Sequence, residues 1–147
     1  MNARFCTLST VDEQGNPWGA PVFYAWNAEG HIFWTSAVDA QHSRNIVNNG
    51  RAYISLLAEK LDRNNPGNNG LYMAGTAREI TDMSELVAAR EILCARMNRT
   101  SEHPETFLGA HPRRVYVFTP QEAWCDGLVD VTGPDGGVHE CDVRVGL

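Results

Sequence analysis

Thr35, Ser36, His42, Ser43 and Arg44 fall within ten residues of one another. Hydroxyls donate hydrogen bonds, a guanidinium offers charge-assisted bonds to two oxygens at once, and a helix start adds free backbone N–H groups. Together these are the means of holding an anion, most simply a phosphate. The surrounding residues place them at a strand-to-helix junction. Ile32, Phe33, Trp34 and Thr35 form a β-branched and aromatic run, and Ala52 to Leu57 forms another, so both read as strands. One short helix lies between them. Asp39 is the expected N-cap, Ile46 and Val47 the apolar face, and Asn49-Gly50 a stop that needs a left-handed residue.

Other chemistries find little support. No Ser-His-Asp order, paired-carboxylate motif or activated cysteine is visible, so a cofactor must carry any reaction while the protein orients it. Cys6, Cys94, Cys125 and Cys141 form no C-x-x-C pair, which argues against zinc-ribbon and thioredoxin-like sites and for free thiols. His139 and Cys141 share a strand face without further metal ligands nearby, so no metal is expected. A net charge of −6 disfavours nucleic-acid and anionic-membrane surfaces, and any bound phosphate must be held by a local pocket. There is no apolar run long enough for a membrane-spanning helix and no signal-peptide layout, so the expected location is cytoplasmic. The Asn98-Arg99-Thr100 glycosylation pattern is then a chance match. At 147 residues and 43% hydrophobic, residues 1–147 are expected to be a single domain with a real core.

The elements that must position these residues are mostly strands. Phe5 to Val11 alternates as a strand, Asp12 to Asn16 reads as a hairpin turn, and Trp18 to Trp26 returns. Pro21 cannot donate to a sheet, so its part of the strand is expected at an edge, a bulge or an end, with backbone left open to a ligand. Asn27 to Gly30 is a second turn, leading into the central stretch. Glu59 to Gly70, rich in Asn, Gly and Pro, reads as a mobile loop. Leu71 to Glu79 is a strand with a bulge expected at Gly75, and Asp82 caps a helix through Glu85, with Met83, Leu86, Leu93 and Met97 as its apolar stripe covering a barrel or sheet opening. His103 to Pro112 reads as irregular. Arg113 to Thr119, Glu122 to Asp126 and Val138 to Val145 complete the strands. Strands joined by tight turns, with helices in crossovers, argue for a mainly β antiparallel barrel or sandwich. The G-x-G-x-x-G and G-x-x-x-x-G-K-[ST] fingerprints are absent.

The ordered pieces F-C-T-L-S-T-V, G-A-P-V-F-Y-A-W, I-F-W-T-S, H-S-R-N-I, R-A-Y-I-S-L-L and G-T-A-R-E-I span most of the chain. In order and spacing they resemble the pyridoxamine 5'-phosphate oxidase-like FMN-binding split-barrel family. The resemblance implies a six-stranded antiparallel split β-barrel with two or three short helices, a homodimer, and FMN in clefts at the subunit interface. It implies that Pro21, Val22, Phe23 and Tyr24 lie along the flavin ring, and that Trp34, Thr35 and Ser36 lead to its phosphate. Gln41 and His42 stand where the family often has Arg and Lys for that phosphate, which gives Ser43 and Arg44 more to do. Trp124, in E-A-W-C-D-G, matches a tryptophan that packs near the flavin from the second subunit.

Two departures bear on the substrate. The family's R-L-H segment after that tryptophan is replaced here by G-L-V-D-V-T, and the substrate-contacting lysine of the second strand falls at Trp26. The expectation is therefore an FMN-dependent oxidoreductase acting on another small molecule, and not a true pyridoxamine phosphate oxidase. The alternatives are an F420-dependent reductase and a non-catalytic protein that holds flavin or haem.

Overall fold

The computed structural model describes residues 3–58 and 69–147; the expected mobile loop falls almost wholly outside them, at 59–68. The elements follow in the order β1 (Phe5–Val11), β2 (Pro17–Trp26), β3 (Ile32–Ala37), α1 (Gln41–Asn49), β4 (Arg51–Leu57), β5 (Gly70–Glu79), α2 (Met83–Arg96), a 3-10 turn (Pro104–Phe107), β6 (Arg113–Thr132) and β7 (Val138–Gly146). All pairings are antiparallel, in the order β3-β2-β1-β4-β5-β6-β7. A further pairing of β3 with β6 closes the first six strands into a barrel. The fold is mainly β, as expected, with a seventh strand that pairs with β6 alone.

Alternation of side chains builds two cores. Cys6, Leu8, Val22, Tyr24, Trp34, Ile54 and Phe118 point into the barrel. The opposite faces of β2, β3 and β6 carry Ala25, Phe33, Val115 and Val117, which pack beneath α2 through Leu86, Ala89 and Leu93. Helix α2 therefore covers an outer face of the barrel and not an opening. Met83, expected in its buried stripe, is 44% exposed because it sits in the first turn, ahead of the packed face. Asp82 caps this helix as expected, accepting from the Glu85 N–H at 2.9 Å.

Helix α1 does lie against the barrel interior, contributing Ile46 to the inner core. Its expected details need two corrections. The N-cap is Ala40, without a side-chain cap bond, because the chain turns at Ala37–Ala40 and the helix begins one residue later than Asp39 would require. Val47 is 74% exposed, since only one position of the Ile46-Val47 pair can face the barrel. Gly50 ends the helix at φ 65°, its N–H bonded to the Ile46 carbonyl at 2.9 Å.

Two strands expected near the C-terminus are one. β6 runs through Pro120 without a break because that residue lies beyond the last β3 pair, Ile32 with Phe118, and opposite Gly75 at the β5 bulge. A missing N–H disturbs no ladder there. The bulge itself falls between Ala74 and Gly75, where it was expected.

Candidate functional site

The barrel is split between β2 and β3. Tyr24, Ala25 and Trp26 pair with Trp34, Phe33 and Ile32, whereas among the described residues Pro17 to Phe23 pair with β1 alone. β3 continues beyond Trp34 paired to β6 alone, through Thr35, Ser36 and Ala37. The two strands diverge, and one edge of each is left open. Pro21 is exposed, paired with Thr7 of β1 and on the length of β2 that has no β3 partner, where its missing N–H costs no second ladder.

Alternation decides what the predicted residues present to this split. Val22, Tyr24, Trp34 and Ser36 turn inward and are buried. The Trp34 indole is fully enclosed, stacked on Tyr116 at 5.6 Å, and its Nε1 has no hydrogen-bond partner. The Trp34 side chain is thus closed off from the split. Phe23 and Thr35 turn the other way, toward α2.

At the start of α1, His42 Nε2 sits 2.7 Å from Ser36 Oγ, and burial holds its pKa below the usual imidazole value, so the ring is neutral at pH 7. Ser43 is 1% exposed and faces Tyr116; burial raises the pKa of that phenol, and the Ser43 hydroxyl works against the rise. Arg44 lies outside, donating through Nη1 to the Asp39 carbonyl and through Nη2 to Gln41 Oε1 at 2.6 Å. Gln41 in turn donates to Asn45 Oδ1 at 2.8 Å, and Asn45 donates to Thr10 Oγ1 at 2.9 Å. The predicted phosphate cluster thus resolves into a part-buried Ser36–His42 pair, a buried Ser43, an external Arg44–Gln41 pair, and Thr35 on the opposite face. Gln41 and Asn45 also line a cleft of about 190 Å³ with Asp12, Asn16, Pro17 and Trp18, at the start of β2; the Asp12 carboxylate there accepts from Asn16. No acidic residue occupies the first turn of α1, which leaves its N–H groups suited to an anion.

The largest described cavity lies on the α2 side of the split, at about 410 Å³. Phe23 and Thr35 form its floor, and Arg90, Arg99, Arg113 and Glu102 surround it. The three arginines were not singled out from the sequence. They lie in the middle of α2, after its end and at the start of β6, too far apart in sequence to form a local signal.

Trp124 lies elsewhere, on β6 opposite Tyr72 of β5 and Gly146 of β7. It stacks on Tyr53 at 6.4 Å, and the Arg144 guanidinium donates to the Tyr53 hydroxyl at 2.8 Å while standing 4.2 Å over the Tyr72 ring. None of these residues lines the cavity of the same chain, and Tyr53 lines a shallow hollow with Pro17 at the start of β2. Among the described residues there is no group of three His, Cys, Asp or Glu able to hold a metal, and no helix long and apolar enough to cross a membrane.

The family model for pyridoxamine 5'-phosphate oxidase matches residues 2–125. The chain belongs to that family. No curated protein matches the sequence. Among solved structures, a haem binding protein from Mycobacterium smegmatis is similar at 21% identity and TM-score 0.64, covering 97% of this chain and 53% of its own, so this chain spans about half that relative. The haem storage protein HutZ from Vibrio cholerae is similar at 21% identity and TM-score 0.63, over 84% of this chain and 87% of its own. An F420 reductase is similar at 24% identity and TM-score 0.56, over 81% and 87%. At these identities the likeness establishes the split-barrel fold and leaves ligand and reaction to the residues of this chain.

Proposed function

We propose that this protein binds FMN along the open length of β2 and acts as a flavin-dependent oxidoreductase on a small molecule other than pyridoxamine phosphate. The observation that carries this reading is the split itself. Backbone polar groups along one edge of Pro17–Phe23 lack a second strand, and the Pro17-Trp18 end shares a cleft with Gln41 at the start of α1, whose N–H groups suit a phosphate. A flavin has both parts: a flat ring with hydrogen-bonding atoms along one edge, and a phosphate at the end of its side chain. In this reading Pro21 and Phe23 border the ring, the backbone of Trp34, Thr35 and Ser36 leads to the phosphate, and Gln41, His42 and Arg44 surround it. When bound, the flavin supplies the electron transfer, and the protein supplies position and exclusion of water.

The assembly is a homodimer with the cofactor at the interface. The half-buried Trp124–Tyr53–Tyr72 cluster supports this, because it is a stacked aromatic surface on β4, β5 and β6 suited to meet a second copy. A monomer by light scattering at micromolar concentration would remove the interfacial part of the site. Trp26, 49% exposed, offers no cation to a phosphorylated pyridoxamine, so turnover of that substrate at an oxidase's rate would refute the substrate reading.

The deciding experiment is the absorbance of purified protein, followed by denaturation and identification of the released molecule. Released FMN supports the proposal. Released F420 or haem, both named in structurally similar proteins, overturns the choice of cofactor, and failure to bind added FMN overturns the proposal as a whole.

A further inference from the structure

Among the described residues the two ends of the barrel are closed unequally. At one end α1 inserts Ile46 and bonds through Asn45 and Asn49 to Thr10 and Val11, where β1 finishes. α2, the helix expected over the other opening, packs instead on an outer face. The other end holds a cavity of about 170 Å³. Its wall is Tyr24 and Trp26 from the finish of β2, Ile32 from the start of β3, Leu56 from the finish of β4, and Leu71 and Met73 from the start of β5; no charged side chain lines it. Tyr24, Ile32, Leu56 and Met73 are buried, while Trp26 stands at the rim, 49% exposed. The mouths of β-barrels are recurrent places for small ligands, and apolar cavities of about 150 Å³ stay dry and take up benzene.

The wall also selects what can enter. A charged or strongly polar group would lose its water without gaining a partner there, which excludes ions and phosphorylated molecules. Tyr24 and Trp26 stack on each other with centroids 5.7 Å apart and planes 28° from parallel. The Arg96 guanidinium stands 4.4 Å over each of the two rings, and it also donates to the Ala3 carbonyl, so the aromatic pair is held in place before any ligand arrives. Met73 adds a thioether, which makes favourable contacts with aromatic rings.

We propose that this open end of the barrel is a second ligand site, taking an uncharged single-ring aromatic molecule against the Tyr24–Trp26 pair and Met73. The site does not depend on the flavin reading, whose residues line the open length of β2 and the start of α1 at the stoppered end.

Toluene is the probe, titrated into wild type labelled with ¹³C at the methionine methyls, with benzoate as the charged control. Met73 lies in the cavity wall, Met97 lines the α2-side cavity and Met83 is exposed in the first turn of α2, so the resonances report three separate places. A saturable shift of the Met73 methyl is expected, with Met83 and Met97 unmoved and benzoate about tenfold weaker or more. Trp26→Ala removes an exposed ring and should weaken toluene about two- to tenfold. Leu71→Trp fills the cavity and should abolish binding; Trp26→Ala keeps the test valid if that variant fails to fold. Toluene binding by a protein that takes up no flavin would leave this site standing and the flavin reading fallen. No shift at Met73, a larger shift at Met97, equal affinity for benzoate, or unchanged affinity in Trp26→Ala would overturn the proposal. Toluene affinity that falls as protein concentration rises would give the cavity to a second copy of the chain and overturn it as well.

Discussion

Replacing His42 with lysine separates the two things this position does. In the folded protein the imidazole is neutral and bonded to Ser36 Oγ at 2.7 Å, so it supports α1 without offering a charge to a ligand. His42→Lys removes that bond, worth about 0.5–1.5 kcal/mol. It also places a cation in the first turn of a helix, where the macrodipole opposes it by about 0.3–1 kcal/mol. The ligand-free variant should therefore be about 1–2 kcal/mol less stable, read as a lower urea midpoint at unchanged slope. If the FMN phosphate sits at this helix start, the new ammonium gains a charge-assisted bond worth about 1.5–3 kcal/mol, or roughly ten- to a hundredfold in affinity. Riboflavin, which lacks the phosphate, should gain nothing. Fluorescence titration of both flavins against wild type and variant is the assay. Parallel changes for the two ligands, or weaker FMN binding, would refute the placement of the phosphate at α1.

Arg44→Ala should weaken FMN more than riboflavin by about tenfold or more while costing the free protein little, because the residue is exposed and its present partners are a carbonyl and a carboxamide on the same short segment. Gly75→Ala should destabilise the fold by about 1–3 kcal/mol or more, since the added carbon would lie 2.2 Å from the Thr119 carbonyl oxygen and 3.0 Å from Pro120 Cα, both backbone; a urea midpoint within error of wild type would refute the bulge geometry. Burial lowers the folded pKa of His42 from 6.5, so the unfolded chain takes up a proton below that pH while the folded one does not; its contribution to stability is complete above pH 6.5 and declines as the solution is acidified, and His42→Gln should flatten the profile between about pH 7 and 5.

The strands were legible because a barrel wall with one buried face imposes a period of two, seen plainly in Cys6, Leu8 and Thr10 of β1. The stops were equally legible at Gly50 and Asp82, where one residue type suits the backbone or the cap. Misreadings occurred where tertiary pairing overrides local signals. Pro120 reads as a strand end, yet the strand passes through it because no third strand needs its N–H. The site was legible only in outline. Sequence spacing brings Thr35, Ser36, His42, Ser43 and Arg44 near one another, but alternation along β3 sends Thr35 and Ser36 to opposite faces, and helical rotation sends Ser43 inward and Arg44 out. The arginines of the cavity come from α2, the segment after it and the start of β6, and no local pattern joins them.

The position of the split and of the α2-side cavity follows from one topological fact. β3 is pulled to β6 along its whole length, Ile32 through Ala37, while β2 stays with β1, so the gap between β2 and β3 widens from Tyr24 back toward Pro17. α1 occupies the inner side of that gap and α2 the outer side. The inner side then has free backbone and a helix start; the outer side has the arginine-walled cavity. Phe23 and Thr35 stand at the boundary because they are the outward-facing residues of the two diverging strands. A flat molecule lying along open β2 would touch Phe23 from one side, and a molecule in the outer cavity would touch it from the other. Because Phe23 stands between the two sides, substitution there should disturb a ligand on either one, while substitutions at Arg44 and Arg113 should disturb one each.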